Sequence, residues 1–137
     1  MVRFGNFEVE YNRNAPDKVS VRIETDDKGE VWLPKCDIAR AYGVFVQSVN
    51  AGLKSLAKTG DFCEYRDVRV EHFTYNGKDC SVDLYGLRTI IALGFRMKGL
   101  KCMAFRKWAA RRLADSFKVK GQSVFVCVTG GKANDWN

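Results

Sequence analysis

The hydrophobic period of this chain switches between two and about 3.6 residues, and the order of the switches confines it to a mixed α+β fold. Val19, Val21 and Ile23 alternate with Ser20, Arg22 and Glu24, the signature of a half-buried strand. Asp26-Asp27-Lys28-Gly29 has turn chemistry, the glycine accepting a positive φ. Glu30-Val31-Trp32-Leu33 then reads as a returning strand. Residues 19–33 therefore predict a hairpin, extended by a strand over residues 6–11.

The period then lengthens. Pro34 suits the first turn of a helix, where its missing N–H has no bond to lose. A helix is predicted over residues 35–42, broken by Gly43, and a second over residues 46–58, ended by Gly60. Ala39, Gly43 and Val49 fall on the frame positions of a helix-turn-helix: a small residue beneath the crossing, a glycine for a left-handed turn, and an apolar residue facing inward. Val49, Leu53 and Leu56 continue the inward stripe. An ordinary helical hairpin carries the same pattern.

Residues 68–82 predict another hairpin around Asn76-Gly77, a pair that suits both central positions of a type I′ turn. A hairpin directly after a helix-turn-helix is the arrangement of a winged helix, with Asn76 and Lys78 at the tip of the wing. The alternative is a hairpin that only covers the core. Asp83 is placed to cap a helix with Leu84, Leu87, Ile91 and Phe95 on one face, loosened at Gly94 and Lys98-Gly99. The last helix, residues 100–118, has Cys102, Phe105, Ala109, Leu113 and Phe117 as its stripe, and Gly121 as its stop. Residues 123–128 add a strand and residues 130–137 a tail. The expected fold is α+β: a winged helix-turn-helix-like N-terminal part with β-hairpins, then two C-terminal helices in the same compact domain. That single domain, 1–137, divides into N-terminal strands (1–34), helix-turn-helix (35–60), hairpin (62–82), basic helical pair (83–121), and strand and tail (122–137).

Charge is distributed as unevenly as periodicity. Residues 84–114 contain Arg88, Arg96, Lys98, Lys101, Arg106, Lys107, Arg111 and Arg112 and no Asp or Glu. The whole chain has 23 Lys and Arg against 16 Asp and Glu, and outside this block the balance is 15 against 16, so the net charge of +7 resides in it. Concentrated positive charge beside Phe105 and Trp108 points to a polyanionic partner, nucleic acid first. The helical period divides the block. Lys107, Arg111 and Lys118 lie opposite the apolar stripe, and Lys101, Trp108 and Arg112 on one flank. Arg106 falls about 40° from the centre of the stripe. It is expected to serve the fold, tied to a carboxylate or to carbonyls, with Arg88 a second structural candidate.

Other classes find little support. No apolar run is long enough to span a membrane, and the N-terminus lacks the apolar core of a signal peptide, so a cytoplasmic setting is expected. The five cysteines are scattered without metal-ligand spacing and read as small buried or half-buried residues. His72 stands alone in a strand, and no pair of carboxylates has a catalytic spacing. No catalytic, cofactor or metal residues are expected.

Several motifs are familiar in this order. They are Val21-Arg22-Ile23-Glu24, Val31-Trp32-Leu33, Ile38-Ala39 with Tyr42-Gly43, Gly60-Asp61-Phe62, the Asn76-Gly77-Lys78 hairpin, Ile90-Ile91-Ala92-Leu93-Gly94-Phe95-Arg96 and Phe105-Arg106-Lys107-Trp108-Ala109. Over residues 19–121 the chain resembles the RhuM family of virulence-island and mobile-element proteins. Its phenylalanine-arginine-x-tryptophan element is similar to that of Bro-N and phage antirepressor N-terminal domains. The resemblance implies a DNA-binding protein of phage or island origin without enzymatic activity. Relatives open the second helix with polar or basic residues, whereas here Phe45 and Val46 stand exposed and Ala51-Gly52 replace expected Arg and His.

Two functions follow as expectations. In the first, a transcriptional regulator binds duplex DNA: Lys98, Lys101, Lys107, Arg111 and Arg112 contact phosphates, and Gln47, Ser48, Asn50 and Lys54 are the base-edge candidates. Operator-level tightness then requires a homodimer, and phosphate contacts alone do not separate DNA from RNA. In the second, an antirepressor-like adaptor docks another protein on Phe45 and Val46.

Overall fold

The computed structural model describes residues 2–12 and 14–118. Its elements are, in chain order, β1 (Asn6–Asn12), β2 (Ala15–Glu24), β3 (Trp32–Leu33), α1 (Lys35–Tyr42), α2 (Val46–Lys58), α3 (Glu64–Asp67), β4 (Val68–Tyr75), β5 (Lys78–Gly86), α4 (Leu87–Gly94) and α5 (Leu100–Lys118). The fold is mixed α+β with two small antiparallel sheets, β1-β2 and β3-β5-β4. The strand expected at 123–128, the Gly121 stop and the 130–137 tail lie outside the described residues.

The first hairpin is not the one the alternation predicted. β2 pairs with β1, placing Ile23 opposite Phe7, Val21 opposite Val9 and Val19 opposite Tyr11. Phe7 and Val9 are buried on this shared face, so β1 is the partner that completes the apolar side of β2. Trp32–Leu33 joins the other sheet instead, opposite Gly86 and Tyr85, and Trp32 bridges Phe4. The Asp26 turn does form. Its Oδ1 accepts from the N–H groups of Lys28 and Glu30 at 3.0 and 2.9 Å, and Gly29 takes φ 76°. It carries the chain from one sheet to the other rather than back along β2.

The helices of the N-terminal half match their expected bounds. Pro34 stands one place earlier than expected, outside α1, where its extended backbone offers a carbonyl to the N–H groups of Asp37 and Ile38. Gly43 ends α1 in the left-handed region, φ 64° and ψ 38°. Ala39 and Val49 are buried on facing helices, with Leu53 and Leu56 continuing the stripe. Gly52, whose lack of side chain costs a helix about 1 kcal/mol relative to alanine, has a packing reason. A Cβ there would lie 2.7 Å from Leu93 Cδ2, so α2 and α4 cross at glycine distance.

The second hairpin turns at Asn76 and Gly77, φ 52° and 75°, as the dipeptide predicts. β5 runs on to Gly86, which corrects the expected helix start: Asp83 pairs with Val70 in the sheet and caps nothing. Leu84 is a strand residue, 0% exposed, and Tyr85 beside it is buried too; their burial holds the strand past Asp83. α4 begins after Gly86 with no side-chain cap. The later start also rotates its face. Ile90 and Leu93 point inward, Leu87 and Ile91 are half-buried, and Phe95 is exposed.

Three rings from distant segments meet at the centre of the core. Phe7 of β1, Tyr42 of α1 and Phe105 of α5 have centroids 5.3 to 5.7 Å apart in tilted and edge-on arrangements. The Tyr42 hydroxyl donates to the Ile90 carbonyl at 2.7 Å. Gly94 lets Phe105 in, since a Cβ there would lie 2.6 Å from the ring. α5 then outruns the body it packs on. Cys102, Ala104 and Phe105 are buried and Trp108 and Ala109 partly so, whereas Leu113, expected in the core stripe, is 65% exposed. Among the described residues no helix is long and apolar enough to cross a membrane.

Candidate nucleic-acid interface

The acid-free block separates into cations used by the fold and cations left over. Arg106 lies beside the α5 stripe, and its Nη1 donates to the carbonyls of Gly94 and Met97 at 3.0 and 2.9 Å. The Gly94 carbonyl ends α4, where a positive charge is favoured and orphan acceptors need partners, and the Met97 carbonyl belongs to the connection that follows. Arg96 does the same work across α4 and α2. Its guanidinium donates to Ser55 Oγ and Thr59 Oγ1 at 3.1 Å each and to Asp61 Oδ2 at 3.2 Å. Arg88 is exposed, and its charge helps hold the Asp67 carboxyl below its usual range, behind the hydrogen bond from Arg66 and one from the Cys63 N–H.

None of Lys98, Lys101, Lys107, Arg111 and Arg112 forms an ion pair with a described residue. Lys107 is exposed on the outer face of the packed part of α5, Arg111 and Arg112 are exposed where the helix leaves the body, and Arg112 lies 5.8 Å from the Trp108 ring centroid. Lys98 and Lys101 sit elsewhere, at the junction of α1 and α2. A Cβ on Gly99 would lie 3.5 Å from Val44 Cγ1, and the Lys101 stem lies 3.4 Å from where a Gly43 Cβ would be. Lys101 is the least free of the five: it is half-buried and shares a cleft rim with Glu8, Glu10 and Asp37.

The expected base-edge residues of α2 do not share one face. With Val49, Gly52, Leu53 and Leu56 inward, an advance of about 100° per residue turns Gln47, Ala51, Lys54 and Lys58 outward. Gln47, Ala51, Lys54 and Lys58 are all exposed. Ser48 is half-buried on the flank of Ser55, the residue held by Arg96. Asn50 turns to the opposite flank, into a cleft with Leu53 and Tyr85. Lys58 was missed, although its spacing from Gln47 and Lys54 places it on their line. Gly52, set against α4, occupies no reading position. Phe45, at 80% exposure, begins α2, whose first turn has neither an acidic residue nor a side-chain cap.

The distal hairpin stands away from the core. No residue from Val70 to Asp83 is buried, and only Leu84 and Tyr85 at its base enter the interior. It is not a positive arm, however. Arg69 binds Glu71 at 2.6 Å and lies 4.5 Å from the Phe4 ring, and Asp79 and Asp83 offset the remaining charge. Asn76 and Lys78 are exposed at the turn.

Of the cysteines, Cys102 is buried, which pushes its thiol up, and Cys36 and Cys80 are half-buried. Cys63 is exposed, contrary to the expected burial, because its segment edges the Asn50 cleft. No group of three or more potential metal ligands occurs among the described residues. Comparison of the chain with protein-family models, with curated proteins and with solved structures gave no match.

Proposed function

We propose that the protein binds nucleic acid, duplex DNA in the first place, as a regulator of mobile-element or phage origin related to the RhuM family. The observation that carries this reading is the five cations that pair with no carboxylate among the described residues, in a stretch that contains no acid. Cations held in internal ion pairs have little left to give a phosphate; Lys98, Lys107, Arg111 and Arg112 keep most of it, and Lys101, half-buried beside Glu8, Glu10 and Asp37, keeps the least. In this reading α1, the Gly43 turn and α2 act as a helix-turn-helix, with Gln47, Lys54 and Lys58 toward the groove. Lys98 and Lys101 hold the backbone near the turn, and the Asn76 hairpin serves as a wing that contributes Lys78 at its tip. Affinity comes chiefly from phosphates. Only Gln47 and the two lysines face outward from α2, so sequence discrimination is weak.

The test is a titration against random duplex DNA at 50 and 200 mM salt. Three phosphate contacts give a slope of log affinity against log salt of about −3. Absence of binding at both concentrations refutes the reading.

A second reading draws on Phe45 and Val46, which place an apolar surface at the start of α2. Here the protein docks another protein in the manner of an antirepressor-like adaptor. Phe45→Ser separates the two: it abolishes adaptor binding while leaving the salt slope on random DNA unchanged.

A further inference from the structure

A cleft of about 630 Å³ opens on the flank of α2 that faces away from Arg96, lined by residues from α1, α2, α3 and β5. Its size is that of a small-molecule site. Three chemistries meet in it. The first is aromatic: Tyr85 and Phe62, 4% and 7% exposed with ring centroids 6.1 Å apart, lie beneath it, and Tyr65 on α3, 100% exposed, is the open ring at its edge. The second is cationic: Lys35 at the start of α1, its Nζ 5.9 Å from the Tyr85 centroid, and Lys54 on α2, neither in an ion pair with a described residue. The third is an amide. Asn50 lines the cleft, and its Oδ1 is buried without a hydrogen-bond partner. An acceptor in that state is expensive to leave unmade. Rotation about the broad terminal torsion of the side chain turns it toward an occupant. Glu64 is the one carboxylate on the lining.

We propose that this cleft binds a nucleotide, with the base against the open Tyr65 ring above the buried Tyr85 and Phe62, its amino edge on Asn50 and its phosphate between Lys35 and Lys54. A base supplies the flat face that such rings cover whatever its sequence. The asparagine amide pairs bidentately with the N6 and N7 edge of adenine, so adenine is the preferred base. Glu64 is left to accept from a sugar hydroxyl. A sugar or a simple anion uses only one of the three chemistries. The nucleotide comes either free or as one unit of a single strand. The inference is independent of the α5 cations, and Lys107, Arg111 and Arg112 play no part in it; Lys54 alone is shared with the groove-facing side of α2.

The experiment measures binding of dAMP, deoxyadenosine, dTMP and a short single-stranded oligo-dA to the full chain and to a Lys35→Ala/Lys54→Ala variant, each checked for an unchanged thermal melt. The expected result is that dAMP binds at millimolar concentration or below and more tightly than dTMP or deoxyadenosine. The double variant then loses at least about tenfold on dAMP, the scale of a charge-assisted contact, and little on deoxyadenosine. Binding of the oligonucleotide with the same lysine dependence, and of dAMP only weakly, assigns the site to a nucleotide within a strand. Asn50→Ala removes the preference for dAMP over dTMP in either case. Failure of both dAMP and the oligonucleotide to bind overturns the proposal, as does binding that the double variant leaves unchanged. A triple Lys107→Ala/Arg111→Ala/Arg112→Ala variant keeps the nucleotide affinity while losing duplex binding, so the two sites fail separately.

Discussion

Arg106 and Arg111 lie little more than one turn apart on α5, in the same acid-free sequence, yet their surroundings set them to opposite tasks. Arg106 is half-buried and divides its donors between the Gly94 and Met97 carbonyls, closing the end of α4. Arg111 stands on the exposed part of the helix and forms no ion pair with a described residue. The difference arises from where the stripe of α5 meets the body: a cation beside the stripe in the packed half becomes a strut, and one opposite it is left exposed to solvent. Positive charge in a sequence is thus no measure of positive charge on offer.

Five variants test that division, in descending effect per site on stability. Arg106→Ala leaves two carbonyls at the end of α4 without their charged donor and is expected to cost about 2–3 kcal/mol by urea unfolding. Arg106→Lys recovers only part, because an ammonium lacks the planar fork. Gly94→Ala places a Cβ 2.6 Å from Phe105 and 2.7 Å from the Tyr42 hydroxyl, an overpacking of about 1–3 kcal/mol. Arg96→Ala breaks a largely exposed network and costs up to about 1 kcal/mol. Joint replacement of Lys107, Arg111 and Arg112 by alanine changes stability by no more than about 0.5 kcal/mol per site. A large loss there places these cations among the struts and breaks the comparison.

The packed half also has an alkaline signature. Burial pushes the Tyr85 phenol up from 10.0 to about 12, with Asp83 and Glu64 adding to the shift, and pushes Tyr42, packed on Phe105, higher still. Folded values above the unfolded ones mean that the contribution is complete below pH 10 and is lost as pH rises toward 12. Thermal melts are expected to fall across that window, and less steeply for Tyr85→Phe. An unchanged slope in that variant rules out Tyr85 as a cause.

Local chemistry made much of this fold legible. The bounds of α1 and α2, the left-handed Gly43 and the Asn76-Gly77 turn follow from capping, propensity and φ preferences, which act over a few residues. Arg106 was legible because helical angle alone set it beside the stripe. The misread parts depend on contacts between distant segments. β2 had two apolar candidates for a partner, both with buried residues, and only the assembled sheets show that β1 pairs with it while Trp32–Leu33 pairs with β5. Asp83 has the chemistry of a cap, but Leu84 and Tyr85 are needed inside and keep the strand running. The same limit governs the site. Lys107, Arg111 and Arg112 could be chosen from one helix, whereas the Asn50 cleft needs α1, α2, α3 and β5 assembled before it exists. Lys58 is the exception, a residue that periodicity could have supplied.

The central claim is that the cations on the exposed part of α5 are free to bind an outside polyanion. Its most direct measurement is the salt dependence of random-duplex binding for the wild-type chain and for Lys107→Ala/Arg111→Ala. The wild type is expected to give a slope of about −3, and the variant a slope shallower by about 2 with equal weakening on every sequence. A slope unchanged by the double substitution, or a loss confined to one DNA sequence, contradicts the account.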